Sequence, residues 1–261
     1  VVKKGFVLIT GASSGIGSEL ARVFAREGHP LVLVARSQGR LEDLAGELRR
    51  DHGVEVKVLV QDLAQTGAAS DLAQALVAEG VEVETLVNNA GFGLLGPFIE
   101  SDMVKHGEMM RLNMVALTEL TRVLVPWMVA RGKGWVLNVA STAAFQPGPG
   151  MAVYFATKSY VLSFSVALRE ELKGTGVKVT CLCPGATETR FAEVAQAQGS
   201  RLFKRRKLMT AREVAEEGYR ALQKGQAVRV TGHLNKLTSY LARLAPLEAS
   251  AKIAKDILDE D

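Results

Sequence analysis

Cysteine is nearly absent from this chain. Two occur in 261 residues, Cys181 and Cys183, too few for a disulfide framework and without the paired Cys/His spacing of a zinc site. They alternate within VKVTCLC, where a strand points both to one face, so the expectation is two buried free thiols in a reducing compartment. An excess of charge of one sign is lacking too. Thirty-two Lys and Arg stand against 28 Asp and Glu, for a net charge of +4, and their scatter along the chain excludes nucleic acid as the default partner. An anionic small ligand would need only a local patch. No uninterrupted apolar run reaches the roughly 18 residues of a membrane span. No signal-peptide pattern precedes the first strand, and repeats, low-complexity segments and linkers are missing. These absences predict a cytoplasmic protein of one domain, and an apolar content of 48% against 23% charged residues can fill a substantial core.

What is present is strict alternation of strand and helix patterns. Apolar runs at 5–10, 31–36, 54–60, 83–88, 135–141 and 177–183 read as strands, with a shorter one at 227–232. Helical periodicity fills the intervals, at 16–28, about 40–50, 67–79, 101–131 and 152–173. The strand runs are too continuous for a sheet with one wet face. They predict an α/β fold, a single doubly wound parallel sheet of Rossmann type with helices on both faces and ligands at the carboxyl ends of the strands.

The turn after the first strand is TGASSGIG at 10–17. Gly11 permits a tight exit, Gly15 lets backbone approach a phosphate, Gly17 lets the helix pack closely, and the helix N-terminus attracts the anion. The spacing is G-x-x-x-G-x-G rather than G-x-G-x-x-G, and its strand-turn-helix setting is what points to a dinucleotide. The second strand ends in Arg36 and Ser37, near where an acidic residue would meet a ribose diol. A guanidinium there suits a 2′-phosphate, with Ser37 as a further donor, which favours NADP(H).

Taken together, TGASSGIG, Asp62 in QDL, NNAG at 88–91, Asn113 in RLNMV, Ser141 in NVAST, Tyr154 with Lys158 in YFATK, and PGATET at 184–189 resemble the short-chain dehydrogenase/reductase family. The resemblance implies that Asn113, Ser141, Tyr154 and Lys158 are catalytic. It implies that the cofactor is lined by Gly11, Ser13, Ser14, Gly15, Ile16 and Gly17, and by Asp62 and Leu63 at the adenine. Asn89, Ala90 and Gly91 would run close to the adenine ribose, with Pro184, Gly185, Thr187 and Thr189 at the nicotinamide, which Tyr154 and Lys158 also touch. On local grounds Asp62 also fits a turn or helix cap, and Thr189 a helix N-cap. Tyr154 would exchange a proton with the substrate oxygen while Ser141 hydrogen-bonds it. Lys158, with the oxidised ring, would pull the phenol below its ordinary value near 10. Asn113 would kink its helix and hold a water leading from Lys158 to solvent.

Substrate choice is expected in a flap at about 190–210, which includes the basic run Lys204 to Lys207, and in a helical tail at about 233–261 interrupted by Pro246. In that tail Leu234, Leu237, Leu241 and Leu244 stand at helical spacing, a stripe that ordinarily packs on the protein's own core or on a sister subunit. Contact with a membrane surface is the less favoured reading. The expected activity is hydride transfer between NADP(H) and a ketone or secondary alcohol, an aliphatic or hydrophobic carbonyl compound, by a homodimer or homotetramer. The alternative is a catalytically silent NADP(H) sensor or partner-binding protein. An epimerase or dehydratase of a longer related family is disfavoured by the glycine spacing.

Overall fold

The computed structural model describes residues 4–195, 197, 199–200 and 208–258. Seven strands form one parallel sheet: β1 (Phe6–Thr10), β2 (Leu31–Ala35), β3 (Val56–Val60), β4 (Val83–Asn88), β5 (Gly134–Val139), β6 (Val177–Cys183) and β9 (Val228–Val230). Their spatial order is β3-β2-β1-β4-β5-β6-β9, so the winding reverses between β1 and β4. Two two-residue strands, β7 (Thr187–Glu188) and β8 (Met209–Thr210), pair apart from the sheet; no strand was expected at either place.

Parity divides each apolar strand between two cores. Val7, Ile9, Leu31 and Leu33 point to one face, where they meet Leu20 and Phe24 of α1 (Gly15–Arg26), Leu41 and Leu48 of α2 (Gln38–His52), and a further helix described below. Leu8, Val32, Val34 and Leu86 point to the other face, against Leu72 and Leu76 of α3 (Ala68–Ala78) and the helices that follow. A continuous run such as LVLV therefore buries every side chain, and this is why the strands lack alternation of polar and apolar residues.

The long helical stretch is three consecutive pieces: α4 (Met103–Met110), a π-helical segment (Arg111–Ala116) and α5 (Leu117–Ala130). The widened turn is centred on Asn113, where the family resemblance predicts a kink. By length and mean hydropathy Met103–Ala130 is long and apolar enough to cross a membrane, although charged residues interrupt its apolar runs; Leu120, Leu124 and Met128 turn its apolar side onto the sheet.

The chain continues through α6 (Ala152–Glu171), the single turn α7 (Phe191–Val194) and α8 (Ala211–Gln223), which completes the first core with Val214 and Leu222. Thr210 and Glu213 form a reciprocal capping box at the start of α8. The tail is a pair of helices, α9 (His233–Leu244) and α10 (Leu247–Leu258), separated at Pro246. Of the flap expected at about 190–210, the basic run Lys204 to Lys207 lies outside the described residues. Cys181 and Cys183 are buried and free, their sulfurs 3.8 Å apart, as their alternation predicts.

Candidate active site

A continuous cavity of about 1200 Å³ opens at the carboxyl ends of β1, β2, β4, β5 and β6, where the winding of a doubly wound sheet reverses. It exceeds the roughly 300–1,000 Å³ typical of a single small-molecule pocket. One end is made by the glycine turn and the end of β2, the other by the tail helices.

The glycine turn is held from beneath. Thr10 Oγ1 accepts the amides of Asn89 and Ala90, both at 3.0 Å, and the Asn89 side-chain amide donates to Thr10 O at 2.9 Å. A Cβ on Gly17 would stand 2.3 Å from Gly11 O and 2.5 Å from Asn89 Nδ2. No side chain fits there, so the requirement at Gly17 is close approach of helix to turn. Gly15 has φ +59°, with Thr189 across from it, a conformation that disfavours side chains. Ser14 does not cap α1 with its side chain, and Gly15 and Ile16 at that helix start line the cavity. A helix start free of a side-chain cap, cradled by residues without Cβ atoms, fits a phosphate.

Arg36 is exposed on the cavity wall beside Ser37. The Ser37 hydroxyl accepts a hydrogen bond from Arg40 Nη2 at 2.6 Å. Arg40 also lines the cavity, and the sequence reading missed it; its signal was a second cation one helical turn beyond Arg36. Asp62 lines the cavity and also makes a turn, accepting from the Ala64 amide at 3.0 Å; the helix that follows is capped at Gly67, not at Asp62. Leu63 packs beside it in the core. Two guanidiniums and a hydroxyl at this corner are the donor set a 2′-phosphate requires.

At the middle of the cavity β5 and α6 bring Ser141, Tyr154 and Lys158 to one wall. Ser141 follows β5 and starts a 3₁₀ turn, its Oγ accepting the Ala143 amide at 3.1 Å. Tyr154 and Lys158 share a face of α6 one turn apart. The phenol packs 5.3 Å from the Phe191 ring, with Ser141, whose Oγ donates to Pro184 O at 3.4 Å, on the same wall. The Lys158 ammonium donates to Val139 O at 2.9 Å and sits 5.8 Å from the phenol ring.

Among the protein's own groups, burial dominates the electrostatics of Tyr154. Burial pushes its pKa up to about 12, and the nearby Ser141 hydroxyl, working in the other direction, is the smaller effect. The protein's own groups therefore keep the phenol neutral, because a phenolate there would lose its water. Burial also pulls Lys158 down to about 8, opposed by the neighbouring Cys181 and Cys183.

Asn113 is fully buried and its amide is committed. Its Oδ1 accepts the Phe92 amide at 3.1 Å, while Nδ2 donates to Phe92 O and Thr157 Oγ1, both at 3.0 Å. It ties the strand-end segment that contains Gly91 to α6. Thr157 and the Val139 carbonyl thus belong to the site's support, and neither carries a sequence signal of its own. A buried chain joins Asn88, the first residue of NNAG, and Asn138, the first of NVAST, to Thr121 and Ser165, which carry no such signal: Asn88 Nδ2 donates to Thr121 and Asn138, and Asn138 Nδ2 to Ser165. Register explains it, since Asn88 and Asn138 are direct neighbours on β4 and β5.

Pro184, Gly185, Thr187 and Thr189 follow β6 and line the same cavity. Thr187 Oγ1 donates to Gly185 O at 2.9 Å, and Thr189 Oγ1 accepts the Phe191 amide at 3.1 Å at the start of α7. All the predicted residues but Gly17 and Asn113 line this cavity, and those two hold its framework.

A reversal of winding at a glycine turn, with a Ser-Tyr-Lys cluster at mid-cavity, defines the class of dinucleotide-dependent oxidoreductases. The comparisons narrow the class. The sequence model described as short chain dehydrogenase matches residues 5–199, and the chain belongs to the short-chain dehydrogenase/reductase family. It is 38% identical over 216 residues to sulfoacetaldehyde reductase 2 of Chromohalobacter salexigens, covering 80% of this chain and 85% of that one. It is 36% identical over 190 residues to the NADP-dependent 3-hydroxy acid dehydrogenase YdfG of Escherichia coli K12, covering 72% and 75%. A very-long-chain 3-oxoacyl-CoA reductase of Anas platyrhynchos matches at 34% over 195 residues, 73% of this chain but 62% of that longer protein. Among solved structures, a short-chain dehydrogenase from Sphingobium yanoikuyae in complex with NADPH superposes with a TM-score of 0.83 at 34% identity, over 91% of this chain and 92% of that one.

Proposed function

We propose that this chain is an NADP(H)-dependent oxidoreductase that interconverts a ketone and a secondary alcohol, with an aliphatic or otherwise hydrophobic carbonyl compound as substrate. The observation that carries the reading is that Ser141, Tyr154 and Lys158 share a wall of the cavity whose far corner is the glycine turn with Arg36 and Arg40. The NADP-dependent relative and the NADPH-bound neighbour support the choice of cofactor. The rest of the lining, including Met151, Phe155, Phe191 and Leu241, supports a hydrophobic substrate.

NADPH held by the glycine turn, Arg36 and Arg40 would supply the hydride that forms the new C–H bond at the carbonyl carbon. The carbonyl π pair then moves onto oxygen, and that oxygen takes the proton of Tyr154. The neutral phenol is the form this step needs, and burial maintains it. Ser141 Oγ donates to the same oxygen as negative charge grows there. Lys158, anchored to Val139 O, sets a positive charge near the phenolate left behind and lowers the cost of forming it. Asn113 fixes the spacing of these groups by tying α6 to the end of β4. Residues 190–210 and the tail act as the substrate-selective part, and homo-oligomerisation and a cytoplasmic location complete the reading.

The test is a screen of ketones and secondary alcohols with NADPH, NADH and their oxidised forms, followed by absorbance of the reduced cofactor. Turnover preferring NADPH is expected. Tight NADPH binding with no turnover of any substrate would instead identify a silent sensor.

A further inference from the structure

The leucine stripe of α9 is not covered by the protein's own core: Leu234, Leu237, Leu241 and Leu244 are exposed by 66%, 58%, 56% and 84%. Other residues seat the helix. Tyr240 meets the Phe145 ring edge-on, ring centres 6.3 Å apart, and Asn235 lies so close to Gly185 that a Cβ there would stand 2.3 Å from Asn235 Nδ2. Ser239, between these two on the helix, is 4% exposed. It lines the cavity, and its hydroxyl takes no hydrogen-bond partner among the described residues. Its neighbour Thr238 bonds back to Leu234 O at 3.0 Å, as a helical hydroxyl can; Ser239 does not.

Gln146 is a second polar side chain left unpaired at this junction. It follows the 3₁₀ turn that Ser141 starts, in extended backbone with φ −156° and ψ 160°, so alternation sends Phe145 into the core under α9 and Gln146 to the cavity. Its amide is half-buried and has no partner among the described residues. The loop that carries it is fixed on both sides. Ser141 Oγ holds the Ala143 amide, a Cβ on Gly148 would stand 2.5 Å from the Phe155 ring, and Gly150 O accepts the Gly96 amide at 2.9 Å. Thr142, on the same turn, adds another free hydroxyl to the lining. A ligand that fills this end strips water from these groups, and each then lacks a hydrogen bond unless the ligand brings an acceptor for it. The three groups are neutral, and Arg190, which also lines the cavity, is already paired with Glu193 at 3.1 Å. Around them the wall is apolar, with Met151, Phe155, Ile257 and Leu258.

We propose that Gln146, assisted by Ser239 and Thr142, is the specificity-determining residue of the substrate end, and that the substrate is a hydrophobic ketone bearing a second, uncharged carbonyl of ester or amide type that accepts hydrogen bonds there. The proposal rests on the oxidoreductase reading above and names the substrate class of that same site. Its probes are ethyl 3-oxooctanoate and ethyl 5-oxooctanoate, their isosteres undecan-6-one and undecan-4-one, and the free anion 5-oxooctanoate. Calorimetric titration of the full chain loaded with NADP⁺, which cannot reduce them, reads recognition apart from chemistry. At least one ester should bind about tenfold more tightly than its isostere. Gln146→Leu should erase that preference by weakening the ester about tenfold while the alkanones bind no more weakly, and Ser239→Ala should reduce it several-fold. With NADPH the ester's loss in Gln146→Leu should fall on KM rather than kcat. Unchanged NADP⁺ affinity in both variants shows that they are folded. The proposal is overturned if the parent binds neither ester better than its isostere, or if Gln146→Leu keeps the preference. Tighter binding of 5-oxooctanoate than of its ester overturns it in favour of a charged subsite. An ester preference that Gln146→Leu erases, with no probe turned over by the NADPH complex, would count against the oxidoreductase reading and leave the recognition by Gln146 standing.

Discussion

The two ends of the cavity are built by different means. At the glycine-turn end, backbone does the work: the Thr10 hydroxyl and Asn89 amide lock two strand ends together, and Gly17 lets α1 rest on Gly11 O. At the tail end, side chains from short elements enclose the space, and several of them, such as Leu234, Leu241 and Ile253, are half open to solvent. The contrast teaches that a surface shaped for a constant group is made of main chain fixed by a few obligatory residues. A surface shaped for a variable group is made of exchangeable apolar side chains.

Substitutions can sharpen this contrast, and the largest effect is expected between the two ends. Tyr154→Phe removes the proton donor without removing ring packing. It should lower turnover by about 10²–10⁴-fold, the range of general acid catalysis, with NADPH affinity nearly unchanged by fluorescence titration. Comparable turnover in the variant would remove Tyr154 from the chemistry.

At the backbone end, Arg36→Asp should weaken NADPH binding about ten- to a hundredfold, as expected for loss of a charge-assisted contact and its replacement by a carboxylate, and leave NADH binding close to its starting value. An unchanged ratio of the two affinities would move the 2′-phosphate away from this corner. At the side-chain end, Leu241→Ser should raise KM for bulky apolar ketones several-fold, within the roughly 1–3 kcal/mol a lost methylene contact carries, while leaving a small ketone unaffected. A uniform change across substrates would show that the tail does not sort them.

The smallest effect lies outside the cavity. His29 packs edge-on to Phe24 and Tyr219, and burial lowers its pKa below 6.5, Lys4 adding to the shift. A base whose folded-state pKa is depressed gives stability that is complete above the unfolded value and is lost as pH falls through it. The melting temperature should therefore decline slightly as pH drops from about 7 to 5, and His29→Phe should flatten that slope. Parallel slopes in parent and variant would place the acid sensitivity elsewhere.

Legibility in the sequence followed the same division. TGASSGIG, Asn89 and the Tyr154 and Lys158 pair could be read because backbone geometry and reaction chemistry tolerate few substitutes at those positions. Arg40, Thr157 and the Val139 carbonyl went unread, since a carbonyl exists at every residue and a threonine in a helix has many uses. The burial of Tyr154 went unread for a related reason: residue spacing reports which charges are near, whereas desolvation depends on how completely the surrounding chain closes over the phenol. What covers the tail's apolar face went unread, because helical spacing of leucines specifies such a face and says nothing of what meets it.

By itself the sequence determined the alternation of strands and helices, the parallel sheet and the residues around the glycine turn and Tyr154, because periodicity and local backbone demands act over a few neighbouring residues. Only the tertiary structure decided that Asn113 would clamp Phe92 to Thr157, that the phenol would be buried enough to stay neutral, and that the leucines of α9 would face outward at the cavity rim. Burial and facing are properties of chain segments far apart in sequence, and no local pattern encodes them.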